Sequence, residues 1–290
     1  MLHIIWCDLV SRPLIRDVDI ADLIGVLCEL IAKDRMPTNT QNRLLSSLST
    51  RACERLMSHC SPIDLPLKTI LYQAEQTPPY AYFMTSGMAS IVTAMEDGDT
   101  AEVGVVGNEG VIGSIFLLGP AKVSTTSFMQ LEGSALRIPL PDLKHAFRSS
   151  EEIRDRLLEF VQEQAISVNQ IAGCNRLHEA EERLARWLLM AQDRTQSDVL
   201  NFTQEFLAMM LGSRRTTVTL IAGSLQRAGL IEYSRGQVKI LDRDHLESAA
   251  CDCYKIVKEL FANLYQQDLT ASVEHGNRMA QNSADGRAQV

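Results

Sequence analysis

The 290-residue chain is 46% hydrophobic, 22% charged and 6% aromatic, with a formal net charge of −8. Those proportions exclude a chain too polar to build a core and leave room for two domains. No apolar run approaches the roughly 20 residues that span a bilayer, and MLHIIWCDLVSRP lacks a basic n-region and a small-residue cleavage site, so a cytoplasmic protein without membrane contact is expected. Seven cysteines, with no CxxC pair and no regular framework, are expected as reduced thiols.

In chain order, Ile20, Leu23, Ile24, Leu27 and Ile31 predict an amphipathic helix that stops before Met36-Pro37. Residues 1–35 are read as an added N-terminal extension, dispensable in a chain beginning at Met36. Residues 36–149 are cut short by turn signals such as Pro78-Pro79, Ser86-Gly87, Asp97-Gly98, Gly119-Pro120 and Glu132-Gly133. Between them lie β-rich pieces such as ASIVTAM and AEVGVV, at the spacing of an antiparallel barrel or roll.

Residues 150–192 read as a long helix followed by a hinge helix. Leu157, Val161, Ala165, Val168, Ile171 and Ala172 form an apolar stripe that suits either a dimer seam or packing within the chain. The second helix, from His178, turns Leu184, Trp187, Leu188 and Ala191 inward; His178 is read as a hinge or cap residue.

Residues 193–245 carry the clearest motif. Thr203 is positioned to cap a short helix with Phe206, Leu207, Met210 and Leu211 on its apolar face, and Gly212 breaks that helix. Ser213 can cap a second helix with Val218, Ile221, Ala222 and Leu225 inward; its outer face carries Thr216, Thr219, Leu220, Gly223 and Arg227, and Arg215 projects from the first turn. Gly229 ends it, and LIEYSRGQVKIL reads as a hairpin around Arg235-Gly236. Between Leu211 and Ile240, Arg214, Arg215, Arg227, Arg235 and Lys239 face one acid, Glu232; that local +4 leaves −12 on the rest of the chain. A helical bundle with a solvated basic edge would share the periodicity. The caps, turn glycine, first-turn arginine and hairpin coincide, however, and together predict a winged helix-turn-helix that binds double-stranded DNA.

In residues 246–290, ESAACDCYKIVKELFANLY reads as one helix with Leu246, Cys253, Val257, Leu260 and Leu264 inward, followed by a disordered tail. Two positions on one helix are about 200° apart, so Cys251 is expected to face away from Cys253 and chelation by the pair is geometrically poor. The whole is α+β: an antiparallel β-roll, a long helix and a winged helix-turn-helix.

LGSRRTTVTLIAGSLQRAGLI, together with the glycine-punctuated roll, long helix and wing in that order, resembles the Crp/Fnr family of bacterial transcription regulators over roughly residues 42–264. The resemblance implies a cyclic-nucleotide-binding-like sensor and a homodimer joined along the long helix. It also implies a two-fold symmetric operator, and recruitment or blocking of RNA polymerase. By the same resemblance Arg215 reads a base, Thr217 touches phosphate, and Thr216 and Leu220 take the other reading positions, with Ser213, Arg214, Thr219, Arg227 and Arg235 around them. Leu220 departs from the polar residue many relatives carry; it can meet a thymine methyl but no donor or acceptor.

Cyclic-nucleotide-binding members use a Gly-Glu pair at the ribose and an Arg-Ser or Arg-Thr pair at the phosphate. Gly113-Ser114 and Ser124-Thr125 align there, so both charged anchors are missing and Lys122 lies two residues early. The effector is therefore unknown and expected not to be cyclic AMP. Cys7, Cys28, Cys53 and Cys60 lack iron-sulfur spacing, and His59 and His145 lack ligand spacing. No cofactor, metal or enzymatic activity is expected. The alternatives are an effector-binding regulatory subunit, which would need no helix-turn-helix, and a regulator that responds to redox through cysteine.

Overall fold

Turn residues divide the first half of the chain into short strands that can pair only with one another. The computed structural model, which describes residues 41–96, 100–120 and 122–266, folds them into two antiparallel sheets. With β1 Ser61–Leu65, β2 Ile70–Tyr72, β3 Tyr80–Met84, β4 Met88–Ala94, β5 Thr100–Val106, β6 Val111–Ile112, β7 Thr125–Leu131 and β8 Gly133–Pro139, the orders are β1-β8-β3-β6 and β2-β7-β4-β5. Phe83, Ala89, Met129 and Ile138 are fully buried in the shared core. The helices α1 (Arg43–Ser46), α2 (Thr50–Met57) and α3 (Leu140–Ser149) add Leu44, Leu45, Leu56 and Leu143 to it.

Helix α4, Glu151–Leu177, is 27 residues long, which at about 1.5 Å per residue is about 40 Å. Ser150 caps it by accepting from the Ile153 N–H, and Glu151 and Glu152 favour its positive end. Ile153, Leu157 and Phe160 are fully buried against the roll. Leu157 therefore belongs to the core rather than to a seam. The stripe left outside the core is Leu158, Ala165, Val168 and Ala172 with a half-buried Val161, at alternating spacings of three and four.

His178 caps the end of α4 and Glu179 starts α5, Ala180–Thr195, where the Glu182 carboxylate accepts from the Glu179 N–H at 3.0 Å. Helix α5 is the spine of a second core. Trp187 meets Phe202 edge-on with ring centroids 4.5 Å apart, and Leu188, Leu207, Leu211, Val218, Leu225, Val238 and Leu246 close around them. Met88, Val105 and Leu131 of the roll join this cluster.

Polar contacts reinforce that joint. Arg194 and Glu109, each about 95% buried, pair at 3.0 Å. Glu102 accepts from the Ser90 hydroxyl at 2.6 Å and from Trp187 Nε1 at 3.0 Å.

The last segment departs from the expected single helix. Helix α8, Arg243–Ala249, stops at an extended Ala250, and a new helix, α9, begins at Cys253 and runs to Asn263. The expected N-terminal helix over 20–31 and the expected tail beyond 266 lie outside the described residues. Among the described residues no helix is long and apolar enough to cross a membrane.

Candidate nucleic-acid interface and sensor cavity

Helix α6, Gln204–Leu211, is capped by the Thr203 hydroxyl, which accepts from the Phe206 N–H at 3.2 Å. It ends at Gly212 in the left-handed region, φ 56°, a conformation in which the absent Cβ removes the usual penalty. The chain then turns into α7, Arg215–Arg227. Ser213 does not cap α7: its hydroxyl donates back to the Leu211 carbonyl at 3.4 Å, and Arg214 holds the N-cap position without a side-chain bond.

Val218, Ala222 and Leu225 bury the inner face of α7, with Ile221 half-buried beside them. Arg214, Arg215, Thr216, Thr219, Leu220 and Arg227 are exposed, and Thr217 and Ser213 are half-buried. Leu220 is 73% exposed, which nothing in the packing of this chain explains. Arg215 lies back on α6, pairing with Glu205 at 2.5 Å and donating to Gln204 at 3.3 Å. The Thr219 hydroxyl bonds the Arg215 carbonyl at 3.0 Å.

The wing is β10, Ile231–Ser234, paired with β11, Gln237–Ile240. Positive φ at both Arg235 and Gly236 gives the turn that two-residue hairpins favour, and it leaves Arg235 exposed at the tip. A third strand, β9 (Val199–Asn201), adds to β11. The Tyr233 N–H donates to Gln226 Oε1 at 2.9 Å, tying the wing to α7.

An open cavity of about 850 Å³ lies between the roll and α4. Gly113, Ser114, Lys122, Ser124 and Thr125 all line it, as aligned, but most of the wall is aliphatic, including Ile91, Val103, Val106, Ile112, Val161 and Val168. Among the described residues no acidic side chain lines it. Lys122 is exposed and pairs with Glu75 at 3.3 Å, and the Thr125 hydroxyl shares a hydrogen bond with that of Tyr72 at 3.1 Å. Gly113 sits at φ 100° where the chain turns into a 3-10 helix, Ser114–Leu117. That is the turn role read from sequence.

A third site appears where α4 ends. Cys174 and His178 share a face one turn apart, and the break before α9 brings Cys251 and Cys253 to the same point. The sequence reading of Cys251 as facing away fails because it assumed an unbroken helix. Cys174 Sγ and Cys251 Sγ are 3.6 Å apart, and Cys253 Sγ is 3.4 Å from His178 Nδ1. The Cys251 thiol, hydrogen-bonded to Cys174, pulls Cys174 down to about 5 and is itself pushed up.

Two family models match the chain: the cyclic nucleotide-binding domain over residues 62–150 and the Crp-like helix-turn-helix domain over residues 182–249. The chain belongs to the Crp/Fnr family. It is a transcription regulator with a helix-turn-helix DNA-binding domain. A Crp/Fnr-family protein of Eubacterium rectale shares the fold at a TM-score of 0.58 and 18% identity, over 73% of this chain and 99% of that one. FixK2 of Bradyrhizobium japonicum aligns at 0.57 and 15%, over 66% and 98%. The c-di-GMP-responsive global regulator CLP of Xanthomonas campestris aligns at 0.55 and 17%, over 66% and 99%. No curated protein sequence matches the chain.

Within this Crp/Fnr chain, the residues aligned to the nucleotide anchors line one cavity; of those aligned to DNA contacts, Arg214, Arg215, Thr216, Thr219, Leu220 and Arg227 are exposed on and just before α7, Arg235 is exposed at the wing tip, and Ser213 and Thr217 are half-buried. Sequence reasoning missed β9, which is too short to show a period, and the cysteine site. It also missed the Arg194–Glu109 and Trp187–Glu102 pairs, whose partners lie 85 residues apart.

Proposed function

We propose that the protein works as a homodimer, binding a two-fold symmetric operator through α7 and helping or hindering RNA polymerase there, in the cytoplasm and without enzymatic activity. The observation that carries this reading is the outer face of α7: Arg215, Thr216, Thr219 and Leu220 stand exposed on a helix anchored by Val218, Ala222 and Leu225. A side-chain set of that kind suits the major groove: Arg215 can bind guanine with two hydrogen bonds, and Leu220 can meet a thymine methyl. Thr217, Arg214, Arg227 and Arg235 are the phosphate contacts in this reading, with Ser213 at the turn.

The exposed stripe on α4 supports the dimer. Leu158, Val161, Ala165, Val168 and Ala172 follow the alternation of a two-stranded seam, and in a single chain Leu158 and Val168 are 40% and 42% exposed. The cavity supports a sensor that does not use cyclic AMP or cyclic GMP, since among the described residues no carboxylate lines it and its one cation, Lys122, stands exposed beside Glu75. An aliphatic small molecule touching Val161 and Val168 would reach the same helix that bears the seam.

Selection from a pool of random DNA duplexes by the full-length protein tests the proposal. The expected product is an inverted repeat with half-sites about 34 Å apart, one turn of DNA. Enrichment of a single half-site, or of no sequence, would refute it.

A further inference from the structure

We propose that Cys174, His178, Cys251 and Cys253 form a mononuclear site for a zinc-class divalent ion that ties the hinge after α4 to the start of α9. The four donor atoms all lie within 4.8 Å of one another, which leaves room for one ion. Three sulfurs and one imidazole nitrogen are the donor set of a closed structural zinc site.

The spacing fits. A tetrahedral ion with bonds of about 2.3 Å to sulfur and about 2.0–2.1 Å to nitrogen places two sulfurs about 3.8 Å apart and a sulfur and a nitrogen about 3.6 Å apart. The Cys174–Cys251 separation is 3.6 Å and the Cys253–His178 separation is 3.4 Å. Small closures of the kind an ion imposes would complete the geometry.

The surroundings are those of a ligand set rather than of packed hydrophobes. His178 turns Nδ1 to Cys253 while its other nitrogen, Nε2, lies 3.3 Å from the Asp252 carboxylate. A carboxylate behind the imidazole fixes the tautomer that leaves the ligating nitrogen free and makes it more basic. Gln170 Nε2 donates to Cys253 Sγ at 3.0 Å, a bond that favours the thiolate. The three cysteines form a buried cluster of their own, apart from both cores.

Two ligands come from the end of α4 and two from the segment entering α9. An ion here would fasten the His178 hinge, where the long helix passes into the DNA-binding half, to the C-terminal helix. This rests on the side-chain geometry alone and stands whether or not the operator reading holds.

Cobalt is the probe. Full-length protein, reduced and stripped of metal, is titrated with Co²⁺ and then with Zn²⁺. The expected result is one ion per chain, with thiolate charge-transfer absorption and the visible bands of tetrahedral cobalt, displaced by Zn²⁺ and accompanied by a rise in Tm. Asp252→Asn, at an exposed side chain, should weaken binding about 10- to 100-fold. Cys174→Ser and Cys253→Ser should weaken it further, and Cys53→Ser and Cys60→Ser should leave it unchanged. Absence of the bands in reduced wild-type protein overturns the proposal. So does unchanged affinity in both Cys174→Ser and Asp252→Asn. A Cys174–Cys251 disulfide in freshly isolated, metal-free protein would overturn it too, making the pair a redox element.

Discussion

The outer face of α7 and the cavity of the roll treat charge in opposite ways. On α7 the arginines stand in water, Arg215 held by an exposed pair with Glu205 and an exposed hydrogen bond to Gln204; an exposed ion pair contributes about 0–1 kcal/mol and yields readily to phosphate or a base edge. In the roll, Lys122 is paired at the surface with Glu75 in the same exposed way, but among the described residues it is the one cation on a wall that is mostly aliphatic. A net charge of −8 therefore says little about either region: binding follows which side chains are free at a surface, not the sum over the chain.

The largest expected effect tests the cavity half of that contrast. A hydrogen bond to a charged group contributes about 1.5–3 kcal/mol, so a site with Ser114 and Ser124 in place of both anchors should bind cyclic AMP or cyclic GMP two to four orders of magnitude more weakly than an anchored site, at about 1.4 kcal/mol per tenfold. Hydroxyls from Ser124, Thr125 and Thr126 bring no positive charge. Isothermal titration that finds micromolar or tighter binding of either nucleotide would erase the contrast and direct attention to Lys122.

The joint between the two regions comes next. Removing one partner of the buried Arg194–Glu109 pair should cost about 3–5 kcal/mol by leaving an uncompensated charge. Replacing both with apolar residues should cost far less. Urea unfolding of Arg194→Ala, Glu109→Ala and the double variant measures this, and additive losses would show that the pair does not act as a unit.

Glu102 makes the same joint sensitive to pH. Burial pushes its carboxyl up to about 7 from 4.5, against the pull of its hydrogen bonds from Ser90 and Trp187. A raised pKa in an acid means that the folded state binds the proton more tightly. Stability should then fall as pH rises from about 4.5 to about 7, by up to about 3 kcal/mol, and level off above that. Glu102→Gln should remove this dependence and be the more stable protein above neutrality. An unchanged pH profile in the variant would place the titration elsewhere.

How much of this was legible in the sequence depended on range. Thr203, Gly212, Gly229 and the Arg235-Gly236 turn act within a few residues of themselves, so caps, breaks and hairpin were readable. The Ser213 cap failed because Arg214 extends the turn by one residue, and a one-residue offset leaves no periodic trace. The stripe on α4 was visible, but Leu157 and Leu158 are adjacent, and only the packed roll decides which of them is core. The break between α8 and α9 falls in AACDC, which holds neither glycine nor proline. With it went the cysteine site, whose ligands are separated by more than 70 residues.

The central claim is that α7 reads base sequence, and Arg215→Ala tests it most directly. Fluorescence anisotropy with the selected operator and with random duplex, across a salt series, should show about 1–3 kcal/mol lost on the operator and little on random DNA. Arg227→Ala and Arg235→Ala, by comparison, should mainly flatten the salt dependence on both duplexes. An equal loss on operator and random DNA in Arg215→Ala would contradict base reading by this helix.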